Sequence, residues 1–456
     1  MGFASYRYGI YSIANFSGAR VVRQCSKKIL GIGIDTRVDL QDKLFVALRG
    51  SRVNGHLFLD EALAKGASAL LVDGEHIAYA CELANKWNAG VLVCDDTLRT
   101  LQTLSAAYIA QFPDITYVGI TGSCGKSTTK QALAAILSAK GNVAMTPGNL
   151  NSEIGLPLSL LQVDSSTDYG VFEMAVDHKG EMDRHLSMLP PSYAIVTNIS
   201  YAHAGKLGSQ RNIAKEKSKI YHADLIAGYV SRDCNLRPLL QHRSPVRLKS
   251  FSKDDLDVTY LGLDGCSLSF GKEKVRLPLI APYQMEDVSA AVAVARDMGI
   301  SDEQLCDGLR FFHPLPGRGT VSAGPITVIE DCYNASPSST AGILGYLGNL
   351  KWGGRKKAVL GSMTELGKYS KPAHRKIGRL LASLGLDTIF LFGSNMEAAY
   401  AFLKESRYPG KLFFSDDFGK LSYAVEADMH CGDLFLLKGS RVMEMERLIP
   451  LLKGAV

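Results

Sequence analysis

The sequence predicts an α/β fold in three domains: a small α/β N-terminal domain over residues 1–110, a central P-loop parallel-sheet domain over 111–315, and a C-terminal Rossmann-like domain over 316–456. Three observations lead there. The stretch GITGSCGKSTT, from Gly119 to Thr129, follows a β-branched and aromatic run and precedes a helical apolar pattern. Strand-like and helix-like segments alternate over most of the chain, as parallel sheets covered on both faces require. The Pro- and Gly-rich HPLPGRGT, from His313 to Thr320, interrupts that alternation and reads as a hinge.

Composition narrows the class. A chain of 456 residues exceeds the roughly 250–300 at which single cores stop growing. It has no apolar run near the ~20 residues a membrane span needs. Its first residues, MGFASYRYGIYSIANFSGARVV, place Tyr, Ser and Arg where a signal peptide would be continuously apolar. Nine cysteines, an odd number without Cys-x-x-Cys spacing, argue for reduced thiols and a cytoplasmic location. A net charge of +6, scattered among acids, suits an enzyme handling phosphorylated anions and not a nucleic-acid binder with one basic face.

The elements follow in order. In the first domain, strands are expected at 32–34, 44–48 and 69–72, with a helix over 57–65 stopped by Gly66. Asp35, Thr36 and Arg37 follow the first strand, and Asn54, Gly55 and His56 form a loop; turn chemistry accounts for both groups. The central domain opens with a strand over 115–120 and a helix over 130–137. TPGNLNSEIGLPLSLL is turn-rich and leads into an apolar helix or strand. A buried-type strand over 169–175 carries Glu173 near its end, and another over 193–197 runs into a loop holding His203. The helix expected over 210–221 carries Lys215, Lys217 and Lys219, with Lys217 on a different face from the other two. Residues 250–280 alternate as antiparallel hairpins before apolar helices at 286–298 and 302–311. Beyond the hinge, strands are expected at 326–331, 356–360, 388–392, 411–414 and 434–437, and helices at 339–350, 372–384, 395–404 and 440–452.

The chemistry gathers at the glycine-rich turn. Small residues at Gly122, Ser123, Cys124 and Gly125 let successive backbone N–H groups face one point, and the following helix adds its positive end. A polyphosphate fits there, with Lys126 reaching the outer phosphates and the hydroxyl of Ser127 or Thr128 on magnesium. Five residues separate Gly119 from Gly125 where the strict motif has four, and Gly122 supplies the extra freedom. Downstream of such a loop, Glu173 is a candidate magnesium ligand, since parallel strands deliver side chains at their carboxyl ends. Taken alone, His203 reads as a solvated loop histidine and the lysine helix as a solvated basic face.

Together these stretches resemble the Mur ligases, ATP-dependent amide-forming enzymes of peptidoglycan synthesis, over nearly the whole chain. GITGSCGKSTTK is similar to the family's phosphate loop, irregular spacing included, and TPGNLNSEIGLPLSLL to its next signature. DCYNASPSS and LGSMTELGKYSKPAHRKIG resemble the members that add a dipeptide, and the Asp-Asn-Pro-Arg motif of the diamino-acid-adding members is absent. The resemblance implies that Glu173 and His203 hold magnesium, with Ser127, and that Lys217 is carbamylated and bridges to a second magnesium. It implies nucleotide contacts from Asn149, Asn151, Arg318 and Asp331, and a uridine-nucleotide contact from Thr36 and Arg37. Tyr283, Gln284 and Asp287 stand where relatives usually carry His and Asn residues; Ala202, Ser152 and Ser362 also depart from the pattern.

The implied activity joins D-alanyl-D-alanine to UDP-N-acetylmuramoyl-tripeptide through an acyl phosphate. In it the first domain binds the UDP sugar, the central ATPase domain binds ATP, and the third brings the amine donor near Asn334, Lys438 and Ser440. Lys126, Lys217 and His203 are its expected catalytic residues, and a monomer its expected form. The rivals are another Mur-type or folylpolyglutamate-type amide ligase, and a P-loop kinase in which Lys217 would not matter.

Overall fold

The computed structural model describes residues 8–50, 53–202 and 204–454. The chain divides into two compact units, one of residues 1–119, 141–176 and 180–193, the other of residues 120–140, 177–179 and 194–456. Among the described residues no helix is long and apolar enough to cross a membrane.

The first unit contains a five-stranded sheet in the order Arg20–Arg23, Gly90–Cys94, Ala69–Asp73, Lys43–Val46, Gly31–Gly33. The last four strands are parallel, and Arg20–Arg23 joins the edge antiparallel. Ala69–Asp73 is buried at every position; a strand covered on both faces has no wet side, so ALLVD shows no polar alternation. Helices Leu59–Ala64 and Ile77–Trp87 lay Leu59, Leu63, Ala80 and Ala84 against Phe45, Leu70, Val72 and Val91. Turn chemistry does hold the Asn54 loop: Asn54 Oδ1 accepts from the His56 N–H at 3.1 Å, and the Asp73 N–H donates to His56 Nε2 at 3.2 Å. The apolar end of TPGNLNSEIGLPLSLL is the helix Gly155–Leu160, buried throughout.

In the first unit Val143–Met145 also pairs in parallel with Tyr169–Glu173, and in the second Ala227–Ser231 pairs in parallel with Leu248–Phe251. In the second unit, helices Gln284–Asp297 and Asp302–Leu309 pack on the phosphate-loop helix Lys126–Leu137. The hairpins of residues 250–280 form their own antiparallel sheet of Asp257–Tyr260, Cys266–Phe270 and Glu273–Leu277.

The C-terminal sheet runs Thr320–Ser322, Thr327–Glu330, Leu434–Lys438, Lys356–Gly361, Thr388–Phe392, Lys411–Ser415. It is parallel apart from its first edge strand. One face packs on Ile343 and Leu344 of helix Pro337–Asn349 and on Ile377 and Leu381 of helix Ser370–Leu381. The other face packs on Leu421, Val425, Leu448 and Leu452.

The structure corrects three expected elements. The phosphate-loop helix begins at Lys126, four residues before the expected 130, because Gly125 turns the chain directly into it. No single helix spans 440–452: 3-10 turns at Arg441–Met443 and Met445–Leu448 precede a short helix, Ile449–Lys453, because Glu444 adopts φ +47. A helix the pattern did not reveal, Phe418–Asp428, starts where Asp417 accepts from the Lys420 N–H at 2.9 Å.

The closed end of this sheet is held by buried charge. Lys357 is fully buried, with its ammonium 2.7 Å from Asp433 Oδ2 and 2.9 Å from Asp428 Oδ2. Burial pushes both carboxyls up, but their donors reverse this: Lys411, Lys357 and Thr388 on Asp428, Arg355 and Lys357 on Asp433. Both therefore titrate below the usual carboxylate range. Carboxyls depressed in the folded state stabilise it fully above about pH 4, and that contribution is lost as pH falls through their folded values. Replacing Lys357 with Met should cost about 3 kcal/mol in urea unfolding at pH 7, and acid should remove stability from the wild type in the same experiment run downward from pH 5. A Lys357→Met protein with the wild-type midpoint at pH 7 refutes this.

Candidate active site

The site begins with two glycines that admit no side chain. Strand Thr116–Thr121 leads to Gly122 at φ +150, where a Cβ would lie 1.9 Å from Thr197 Oγ1. At Gly125, φ +85, a Cβ would lie 2.0 Å from Asp287 Oδ1. Between them the loop is pinned by the residues after strand Tyr193–Val196. The Ser123 N–H donates to Asn198 O at 3.0 Å, and the Cys124 N–H to Asn198 Oδ1 at 3.1 Å. Thr197 Oγ1 donates to Cys124 O at 2.6 Å. Lys126 folds back so that its ammonium donates to Gly122 O at 2.9 Å. The first turn of the helix holds no acidic residue of its own; the acid at its positive end is Asp287, which reaches Gly125 from helix Gln284–Asp297.

The two hydroxyls that follow have different surroundings. Ser127 Oγ accepts from Arg318 Nη2 at 3.0 Å, and that guanidinium stacks over Tyr333, 4.2 Å from the ring centre. Thr128 is hydrogen-bonded to Asp287. Burial and the neighbouring Glu286 push the Asp287 carboxyl up to about 7, against the opposing pull of Arg318, Thr128 and Lys126. Of the two hydroxyls, Ser127 thus faces a cation and Thr128 a carboxyl.

Glu173 ends strand Tyr169–Glu173 and is fully buried. Its N–H donates to Thr146 Oγ1 at 2.8 Å, and its Oε2 accepts from Asn151 Nδ2 at 2.9 Å. Asn149 is exposed. Lys217 closes helix Gln210–Lys217 with Ile213 and Ala214 on its buried side, and its ammonium lies 3.4 Å from Thr121 Oγ1, next to Gly122. Lys215 is exposed and Lys219 pairs with Glu216 at 2.8 Å, so the three lysines separate as helical spacing requires. His203 lies outside the described residues.

In the first unit, Thr36 is buried and Arg37 is exposed beyond strand Gly31–Gly33. The Arg37 side chain and N–H hold the Asp35 carboxyl down to about 2, with Nη2 2.6 Å from Oδ2.

At the carboxyl ends of the C-terminal strands, Asp331, Asn334 and Lys438 meet. The Lys438 ammonium lies 2.7 Å from Asp331 Oδ2 and donates to Asn334 O at 3.2 Å. Lys438 is 2% exposed, so its charge serves the chain's own carboxylate. Ser440 Oγ accepts from the Thr364 N–H at 2.9 Å. Three residues noted only as departures in the sequence also belong here. The Tyr283 hydroxyl donates to Asp331 Oδ2 at 3.2 Å. Gln284 takes the Ala281 N–H on Oε1 at 3.0 Å and donates to Arg318 O at 3.1 Å. Asp287 lies against the loop. Their signal was available: a tyrosine, a glutamine and an acid opening an otherwise apolar helix, with Gln284 and Asp287 three apart on one face.

Comparison with known proteins agrees with this geometry. Residues 28–140 match the catalytic domain of the Mur ligase family, residues 120–295 the Mur ligase middle domain, and residues 317–441 the Mur ligase glutamate ligase domain. The UDP-N-acetylmuramoyl-tripeptide--D-alanyl-D-alanine ligase of Treponema pallidum (strain Nichols) is 34% identical over 453 residues, 96% of this chain and 97% of that protein. The crystal structure of MurF from Acinetobacter baumannii is similar at TM-score 0.87 and 28% identity, covering 99% of this chain and 100% of that one. MurF ligase from Thermotoga maritima, in complex with ADP, is similar at TM-score 0.76 and 27% identity over 93% of this chain and 97% of that one. The chain belongs to the Mur ligase family.

Proposed function

We propose that this chain joins D-alanyl-D-alanine to UDP-N-acetylmuramoyl-tripeptide, the two molecules that the name of its Treponema pallidum relative gives for that protein, and that it cleaves ATP to ADP and phosphate in doing so. The observation that carries a ligase over a kinase is Lys217, a buried lysine whose ammonium lies 3.4 Å from Thr121, at the root of the phosphate loop. Carbon dioxide would convert it to a carbamate, an anionic oxygen donor.

The donor set fits magnesium: Ser127 Oγ, the Glu173 carboxylate and a Lys217 carbamate are all oxygen ligands, with His203 as a further candidate. Bound there, one or two magnesium ions would offset charge on the transferring phosphoryl group. The amino end of helix Lys126–Leu137 and the Lys126 ammonium bind and orient the phosphates, with Arg318 beside Ser127. The tripeptide's terminal carboxylate attacks the γ-phosphorus and the bond to the β-phosphate oxygen breaks, giving an acyl phosphate and ADP. The dipeptide's neutral amine then attacks the acyl carbon, phosphate leaves, and the nitrogen loses its proton. No side chain need bond covalently; positioning dominates.

In this reading residues 1–110 seat the uridine nucleotide near Thr36 and Arg37, 111–315 hold ATP with contacts from Asn149, Asn151, Arg318 and Asp331, and 316–456 present the dipeptide near Asn334 and Ser440. The buried Lys438 supports that last site by fixing Asn334. The enzyme would act as a cytoplasmic monomer, where its nucleotide substrates are found.

Phosphate release from ATP with UDP-N-acetylmuramoyl-tripeptide should depend on added D-alanyl-D-alanine, and release indifferent to the dipeptide would reject the reading. Changing Lys217 to Ala should lower turnover at least a hundredfold, with partial recovery on adding a short-chain carboxylic acid. A mutant as fast as the wild type would rule out the carbamate while leaving the ligase assignment to the dipeptide assay.

A further inference from the structure

We propose that Tyr283 is a positioning residue for nucleotide binding that acts through Asp331. This rests on the reading of Asp331 as a nucleotide contact and adds to it the group that aims the carboxylate. Tyr283 immediately precedes helix Gln284–Asp297. Its hydroxyl donates to Asp331 Oδ2 at 3.2 Å, and the Lys438 ammonium stands 2.7 Å from the same oxygen. Two donors on one oxygen fix the rotation of the carboxylate, and among the described residues no hydrogen bond is made to Oδ1. Lys438 alone would let the group turn about one contact; the phenol supplies the second.

The phenol is itself held. Its ring lies against the Cα of Gly342 in helix Pro337–Asn349, where a Cβ would come 2.8 Å from ring Cδ1. Burial and the adjacent Asp331 push the phenol well above its ordinary range, so it stays a neutral donor. The cluster also reaches the phosphate loop: Tyr333, two residues beyond Asp331, carries the Arg318 guanidinium that donates to Ser127. Tyr283 therefore connects the start of one helix, the end of strand Thr327–Glu330 and the end of strand Leu434–Lys438 at a single carboxylate oxygen.

The test is ADP binding to the full chain by calorimetry. Tyr283→Phe, which removes only the hydroxyl, should weaken ADP roughly ten- to hundredfold, the range expected for one hydrogen bond to a charged group. Asp331→Asn should also weaken it, and the double variant should bind no worse than Asp331→Asn alone, because the hydroxyl acts only through that carboxylate. Gly342→Ala, which keeps the tyrosine but pushes its ring, and with it the hydroxyl, off Asp331, should reproduce the Tyr283→Phe loss and covers the case in which the phenylalanine variant folds poorly. Wild-type affinity in Tyr283→Phe, or losses that multiply in the double variant, would overturn the proposal. A wild-type chain that binds no ADP would instead sink the nucleotide reading, and Tyr283's role with it.

Discussion

The structure depends most on a steric constraint: at Gly122 and Gly125 the backbone passes so close to Thr197 and Asp287 that no Cβ fits, and both residues take positive φ. That conformation lets the loop close on itself, with the Ser123 and Cys124 N–H groups donating to Asn198, and turns the chain directly into the first turn of Lys126–Leu137, whose positive end suits an anion. The loop is not free-standing. Thr197 and Asn198, which follow strand Tyr193–Val196, supply its side-chain and backbone partners, so the shape of the phosphate site is set by a neighbouring strand as much as by its own glycines.

Around this loop the second unit assembles a polar cluster whose side chains contact one another. Arg318 bonds Ser127 and stacks on Tyr333. Gln284 fixes the Arg318 carbonyl and Tyr283 shares Asp331 with Lys438. These hydrogen bonds join residues 34 to 191 positions apart in sequence into one site. In a buried setting such polar contacts are stronger than in water, and leaving one partner unpaired is costly.

Buried lysines show how one residue type takes different roles. Lys357 neutralises two carboxylates at the end of the C-terminal sheet away from the site. Lys438 neutralises Asp331 at the opposite end. Lys217 stands beside the hydroxyl of Thr121, at the root of the phosphate loop.

The sequence by itself determined the α/β alternation, the phosphate loop with its glycines, and the family, because local propensity, apolar runs and turn residues act over short distances. It also placed Lys217 apart from Lys215 and Lys219, since helical spacing alone decides that. What only the tertiary structure decided lies where distant segments meet. Ser127 and Thr128 are equivalent in sequence and differ only because Arg318 approaches one and Asp287 the other. Lys438, legible as a cation near a substrate, is turned inward because Asp331 and Asn334 end the adjoining segment. Tyr283 read as a departure from a pattern until the strand ending at Glu330 brought Asp331 beneath its hydroxyl. The helix Phe418–Asp428 and the break at Glu444 also escaped the pattern: the one is weakly amphipathic and the other is set by a single left-handed residue. Periodicity specifies elements and faces, whereas the partner of a polar side chain depends on which strand ends the fold sets side by side.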